Sequence, residues 1–209
     1  ARDSGTWTAI WSPSKSALNA KQTSGWIWIA DPSTSTGMNA WMPSRWRVGA
    51  RFSNHAGPAS LYARKPLQHD MLGLYFAVGN ANHLPPWGGL DMLLSTNPIA
   101  AAIPSLNEAP IVLDMATTVA AYGKVKAKAQ RGEMMPEGWM IDRQGKPLLD
   151  PTKSEEGFLL PIGGYKGYGL SLIVGILAGT LNGAAMGSQV IDFNKDFSTT
   201  TNTGQAIAI

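Results

Sequence analysis

Three short stretches carry side chains that could act on a ligand: the turn Ser53-Asn54-His55, the run Val112-Leu113-Asp114-Met115-Ala116-Thr117-Thr118, and Gly163-Gly164-Tyr165-Lys166-Gly167-Tyr168-Gly169. Moving a proton to or from an oxygen near neutral pH suits an imidazole. Of the three histidines, His55 is the best placed, because it sits among polar neighbours in a turn behind an apolar run. His83 lies in a polar loop before Pro85-Pro86, and His69, beside Asp70, reads as an exposed helix end. In the third stretch the glycines precede the apolar run LSLIVGILAG. Glycines ahead of a helix let backbone amides approach a bound anion, the helix N-terminus adds positive potential, and Lys166 supplies a full charge. The spacing is equally that of a tightly packed helix with a solvated lysine, since it is neither GxGxxG nor a Walker loop. Asp114 has a local explanation as well, because Asp114 or Thr117 can cap a following helix. A carboxylate at the end of a strand can also hold a ribose hydroxyl or orient a histidine.

The elements that must carry these residues read as an α/β layer protein. Val48 to Phe52, Leu72 to Val78 and Ile111 to Leu113 are predicted strands, and a helix is expected through Leu61 and Tyr62. A second helix is expected over Thr117 to Arg131, with Lys124, Lys126, Lys128 and Arg131 toward its C-terminal half, where the helix dipole favours cations. Gly169 to Leu181 reads as a buried core helix. It is too short for a bilayer, which needs roughly 20 apolar residues. The first 47 residues differ in composition. They hold Trp7, Trp11, Trp26, Trp28, Trp41 and Trp46, six of the eight tryptophans, among Ser, Thr, Pro and Gly, and only WIWIA at 26–30 looks like a strand. Residues 1–47 are therefore set apart from a domain over 48–209.

Composition excludes several function classes. With 209 residues and 44% hydrophobic residues the chain can bury a core. Its seventeen Lys and Arg are scattered and its net charge is only +3, which argues against a nucleic-acid groove binder. The absence of cysteine rules out disulfides and thiolate chemistry and is compatible with the cytoplasm, the expected location. No His, Asp and Glu cluster has metal-ligand spacing, no serine sits in a GxSxG elbow, and no signal peptide or membrane span is visible.

In order along the chain, RFSNHAG (51–57), PPWGG (85–89), STNPIAAAIP (95–104), VLDMATT (112–118), YGKVKAKAQRGEMMPEGWMID (122–142) and GGYKGYGLSL (163–172) resemble the malate/L-lactate dehydrogenase family of the non-Rossmann type. The resemblance implies a three-layer α/β fold around a mixed β-sheet, bound NAD or NADP, and a homodimer acting on a small 2-hydroxy or 2-keto acid. By motif it makes His55 the acid–base residue and makes Asp114, Met115, Ala116 and Lys166 cofactor contacts. Asn80 falls where relatives often carry a serine that touches the nucleotide. Family members also carry a Ser-His-Gly-x-x-Arg motif in an N-terminal helical region, which this sequence lacks, and they continue beyond TGQAIAI. The expectation is a chain incomplete relative to the family, or a leading sequence, residues 1–47, that is unreliable as written. A different class of function, a non-catalytic module binding ligands through the tryptophan-rich segment, requires those tryptophans to be exposed and coplanar.

Overall fold

A computed structural model describes residues 26–29 and 47–209 of the protein. Its centre is a six-stranded sheet in the order β1-β2-β8-β3-β4-β5. The strands are β1 Trp26–Ile29, β2 Arg47–Ser53, β3 Gly73–Ala77, β4 Ile99–Ile103, β5 Ile111–Met115 and β8 Thr203–Ala208. The α/β class expected from the sequence is the one observed. All five ladders of this sheet are antiparallel, where a mixed sheet was expected. The reason is topological: β8 returns from the far end of the chain and inserts between β2 and β3, so β2, β3 and β5 run one way and β1, β8 and β4 the other.

Side-chain alternation divides this sheet into two covered faces. On one face Tyr75, Ala77, Ala100 and Ala102 pack against Ala59 and Ala63 of α1 (Ala59–Ala63). The alanines of β4 and Gly73 of β3 keep the surface low, so the short helix lies directly on the backbone. Helix α3 (Tyr165–Ala178) covers the other face, where Gly204 of β8 lies against the Ala178 carbonyl. Its inward stripe is Gly167, Ser171, Val174, Gly175 and Ala178, small residues that let helix and sheet approach closely. The outward face keeps Ile173 54% exposed, so α3 is buried along one side only and not all round. Helix, sheet and helix make the three layers expected.

A smaller unit stands beside these layers. It combines α2 (Tyr122–Arg131) with a two-stranded ladder of β6 (Met140–Asp142) and β7 (Gly157–Leu159), packed around Val125, Met135, Met140, Leu148 and Leu159. The cationic C-terminal turn of α2 appears as predicted: Gly132 ends the helix at φ 66°, and Lys128 pairs with Glu133 at 2.9 Å. That lysine holds the Glu133 carboxyl below its ordinary range. The helix starts five residues later than expected. Thr117 N–H donates to the Thr96 carbonyl, Val119 N–H to the Leu160 carbonyl, and Thr118 Oγ1 to the Ala120 carbonyl, so the backbone of 117–121 is committed elsewhere. Neither Asp114 nor Thr117 caps α2, whose N-cap position is Ala121.

Candidate active site

The topology gathers the predicted residues at one end of the sheet. Because β2, β3 and β5 share a direction, their C-terminal ends lie on the same edge, with His55 following β2, Gly79 and Asn80 following β3, and Met115 and Ala116 ending or following β5. Lys166 joins them through the backbone. Ile162 N–H donates to the Thr117 carbonyl at 3.0 Å, Thr118 pairs with Pro161, and this lacing sets the beginning of α3 beside the Asp114-Met115-Ala116 run.

Asn97 ties the remaining pieces together. Fully buried, it accepts the Gly79 N–H at 3.2 Å and donates to the Ser171 carbonyl at 3.0 Å, while Thr117 Oγ1 contacts the Thr96 and Asn97 carbonyls at 3.0 and 3.2 Å. One amide side chain thus links the loop after β3, the start of β4 and the second turn of α3. Its place in STNPIAAAIP marked it as part of a motif, but nothing in the sequence disclosed this bridging role.

Helix α3 begins at Tyr165, so Lys166 and Gly167 stand within the first turn rather than ahead of it. Gly163 and Gly164 make the entry at φ 58° and 65°, a backbone region where a Cβ is costly, and no side chain caps the turn. Lys166 is exposed. Trp87 of PPWGG meets Tyr165 edge-on, ring centres 6.1 Å apart, at the same entry. Asn80 is buried at 6% exposure, and its Nδ2 has no hydrogen-bond partner although its carbonyl accepts from Phe193 N–H at 3.1 Å. Burying such a donor unpaired costs about 1–3 kcal/mol, so an acceptor supplied from outside the chain would be favoured there.

Asp114 is exposed, and its Oδ2 accepts the Ser60 N–H at 2.8 Å. The carboxylate therefore holds the first turn of α1, the helix that follows the His55 turn. His55 is exposed in that turn; its Nδ1 accepts the Gly57 N–H at 3.1 Å and its own N–H donates to Asn54 Oδ1 at 2.7 Å. The remaining ring nitrogen, Nε2, is left available to a ligand oxygen. Asn54 lines an open cleft of about 490 Å³ together with Phe193, Asp196, Phe197 and Thr199 to Thr201. Hydrogen bonds from Thr199 and then Ser198 hold the Asp196 carboxyl well below the usual carboxylate range, so it remains charged at the wall of this cleft.

His83 differs from the polar-loop residue its sequence suggests. Its ring stacks on Tyr122 with centres 3.9 Å apart, its N–H donates to the Leu94 carbonyl, and burial pushes its pKa down to about 4. Asp192 opposes that shift, while Lys126 and Lys195 add to it. Between pH 6.5 and 4 the unfolded chain binds a proton that the folded chain refuses. Stability is therefore full above about pH 6.5 and is lost as pH falls through this window, by about 3 kcal/mol. Denaturant midpoints measured from pH 7 to 4 should fall less steeply in His83→Phe than in the wild type. Parallel profiles would refute the assignment.

Among the described residues no group of three or more His, Cys, Asp or Glu is arranged for a metal, and no helix is long and apolar enough to cross a membrane. The ligand-binding alternative rests on Trp7, Trp11, Trp41 and Trp46, which lie outside the described residues, and on Trp26 and Trp28, described only as strand backbone.

A strand-gathered site on this three-layer scaffold defines a class, and the comparison with known proteins names it: residues 47–209 match the malate/L-lactate dehydrogenase family, to which the chain belongs. Over 143 residues it is 43% identical to the L-sulfolactate dehydrogenase of Methanothermobacter thermautotrophicus, covering 68% of this chain and 41% of that protein. It is 34% identical over 158 residues to the ureidoglycolate dehydrogenase (NAD(+)) of Escherichia coli, covering 76% of this chain and 44% of the relative. The chain thus spans less than half the length of these two relatives. Among solved structures it resembles a dehydrogenase from Sinorhizobium meliloti, with a TM-score of 0.70 at 32% identity, covering 78% of this chain and 48% of that one. The sulfolactate dehydrogenase of Methanocaldococcus jannaschii is similar with a TM-score of 0.67 at 35% identity, covering 79% and 47%.

Proposed function

We propose that this chain forms the nucleotide-binding part, together with the acid–base histidine, of a dehydrogenase that moves hydride between NAD or NADP and a small 2-hydroxy or 2-keto acid. The observation that carries the reading is the gathering of His55, Asn80, Met115, Ala116 and Lys166 at one sheet edge and the adjoining start of α3. Relatives named for sulfolactate and ureidoglycolate, with NAD(+) or NADP(+), agree with that substrate and cofactor class.

The residues fit a nicotinamide nucleotide. Lys166, on an uncapped first turn of α3, offers a cation and backbone amides to a phosphate, and the unpartnered Nδ2 of Asn80 offers a buried donor to a carboxamide or hydroxyl oxygen. Met115 and Ala116 present a strand end at which the backbone can lie close to a ring, and Asp114 holds the framework through Ser60. When bound, the nicotinamide supplies or receives the hydride at the carbon of the hydroxy or keto group. His55 gives the proton to the carbonyl oxygen through Nε2 in reduction and takes it back in oxidation, a transfer that requires Nδ1 to carry a proton of its own and to release the Gly57 N–H it accepts here. A homodimer and a cytoplasmic location belong to the same reading. The edge strand β5 leaves Ile111 and Leu113 68% and 43% exposed, an apolar margin that a second subunit would cover.

Energy transfer from tryptophan to added NADH or NADPH, followed by a panel of 2-keto acids, tests the proposal. Lys166→Ala should raise the dissociation constant of the reduced nucleotide about 10- to 100-fold, the worth of a charge-assisted hydrogen bond. An unchanged constant would count against the cradle, and absence of energy transfer with both nucleotides would count against the function.

A further inference from the structure

We propose that Gln205 is a positioning residue for His55, a step that rests on the acid–base role given to that histidine above. The ladder between β2 and β8 runs regularly from Arg47 to Ala50 and then shifts register before Ser53. Inside that irregularity Phe52 adopts φ 52°, a left-handed conformation that a large side chain rarely takes and that costs on the order of 1–3 kcal/mol. The turn bearing His55 thus leaves the sheet just past this bulge and its strained residue, with Ser53 opposite Thr203 as the last backbone pair, and needs further contacts to be held.

Side chains from β8 hold it. Gln205 Nε2 donates to Ser53 Oγ at 2.7 Å and to the Asn54 carbonyl at 2.9 Å, and Thr203 Oγ1 donates to the Ser53 carbonyl at 3.0 Å. Gln205 is 7% exposed and Thr203 1% exposed, so water competes little for these bonds. Asn54 is thereby fixed at its carbonyl, while its Oδ1 accepts the His55 N–H at 2.7 Å. The chain of contacts runs from the central strand through Gln205 and Asn54 to the backbone of His55. Gln205 also stands midway in the sheet, its Cα facing Ala50 of β2 on one side and Ala77 of β3 on the other, so the clamp is anchored in a strand paired on both sides. Its two donor hydrogens match the two oxygens they meet. A glutamate of the same shape could accept from the Ser53 hydroxyl but would set a carboxylate oxygen against the Asn54 carbonyl, and methionine would present no donor at all.

The test uses Gln205→Met and Gln205→Glu in the full chain, each read for nucleotide affinity, turnover and the NMR signals of the His55 ring and the Gly57 amide. The expected result in Gln205→Met is a fall in kcat of about 10- to 100-fold, with KM for the keto acid and the NADH dissociation constant within threefold, and displaced or broadened His55 and Gly57 signals. Nucleotide affinity reports that the fold survives. If Gln205→Glu fails that check because a charge has been buried, Gln205→Met decides. Unchanged kcat together with unchanged ring and amide signals would overturn the proposal. A His55→Ala protein that keeps full turnover would instead overturn the acid–base reading, and the NMR signals would still show whether Gln205 clamps the turn.

Discussion

His55→Ala is expected to lower turnover by about 10²- to 10⁴-fold while leaving the NADH dissociation constant within several-fold, the loss typical when a general acid–base group is removed. The separation of the two effects follows from the architecture. The nucleotide contacts proposed here come from the ends of β3 and β5 and from α3, whereas His55 is exposed in the turn after β2 and bonds only within its own turn through its ring. Truncating it removes the Gly57 contact and little packing, so thermal stability should change slightly. The measurement is kcat under saturating NADH with the best keto acid, paired with a fluorescence titration. Retained turnover would remove His55 from the chemistry. A large loss of nucleotide affinity would instead place the ring against the cofactor.

The second large effect concerns the central strand. Gly204→Ala is expected to destabilise the protein by about 3 kcal/mol, which in a chain of this size lowers Tm by roughly 6–12 °C. A methyl at Gly204 would collide with the Ala178 carbonyl oxygen, approach Ala184 Cβ at 2.7 Å and lie 3.0 Å from the Ala50 carbonyl oxygen. Two of these neighbours are backbone and the third is a Cβ, so none can rotate aside, and relief requires lifting α3 from the sheet. Gly123→Ala is the matched comparison. That glycine lies in α2 with open space around the added methyl, and the change should stabilise by up to about 1 kcal/mol. Scanning calorimetry on both variants separates a close approach from a general effect of replacing glycine. Equal melting temperatures for Gly204→Ala and the wild type would show that α3 yields at no cost.

Much of the scaffold was legible where one element's own pattern is strong. The runs at Val48–Phe52, Leu72–Val78 and Ile111–Leu113 alternate or cluster apolar residues and became β2, β3 and β5, and WIWIA contains β1. Two strands of the six-stranded sheet were not legible. β4 is Ile-Ala-Ala-Ala-Ile, whose alanines carry little strand signal yet are required where α1 lies on the sheet. β8, read only as the end of the sequence, is the strand between β2 and β3. Its Thr203 and Gln205 look like ordinary polar residues, and only the bulge at Phe52, on a strand some 150 positions earlier, gives them work. Asp114 misled for a similar reason. A cap for the next helix is the local solution, but the Ser60 N–H of α1 was brought to it by the sheet.

Residue types and their order were sufficient to determine an α/β chain, the family it belongs to, and the short stretches around His55, Asp114 and Lys166, because each is a local pattern with its own chemistry. What tertiary structure alone decided is how these stretches meet. Strand direction and the insertion of β8 bring the ends of β2, β3 and β5 to one edge, Asn97 and Thr117 lock α3 beside them, and Gln205 reaches across to hold the His55 turn. Such contacts join residues 20 to more than 150 positions apart, and no periodicity along the chain encodes them, since they arise only when packing closes the sheet.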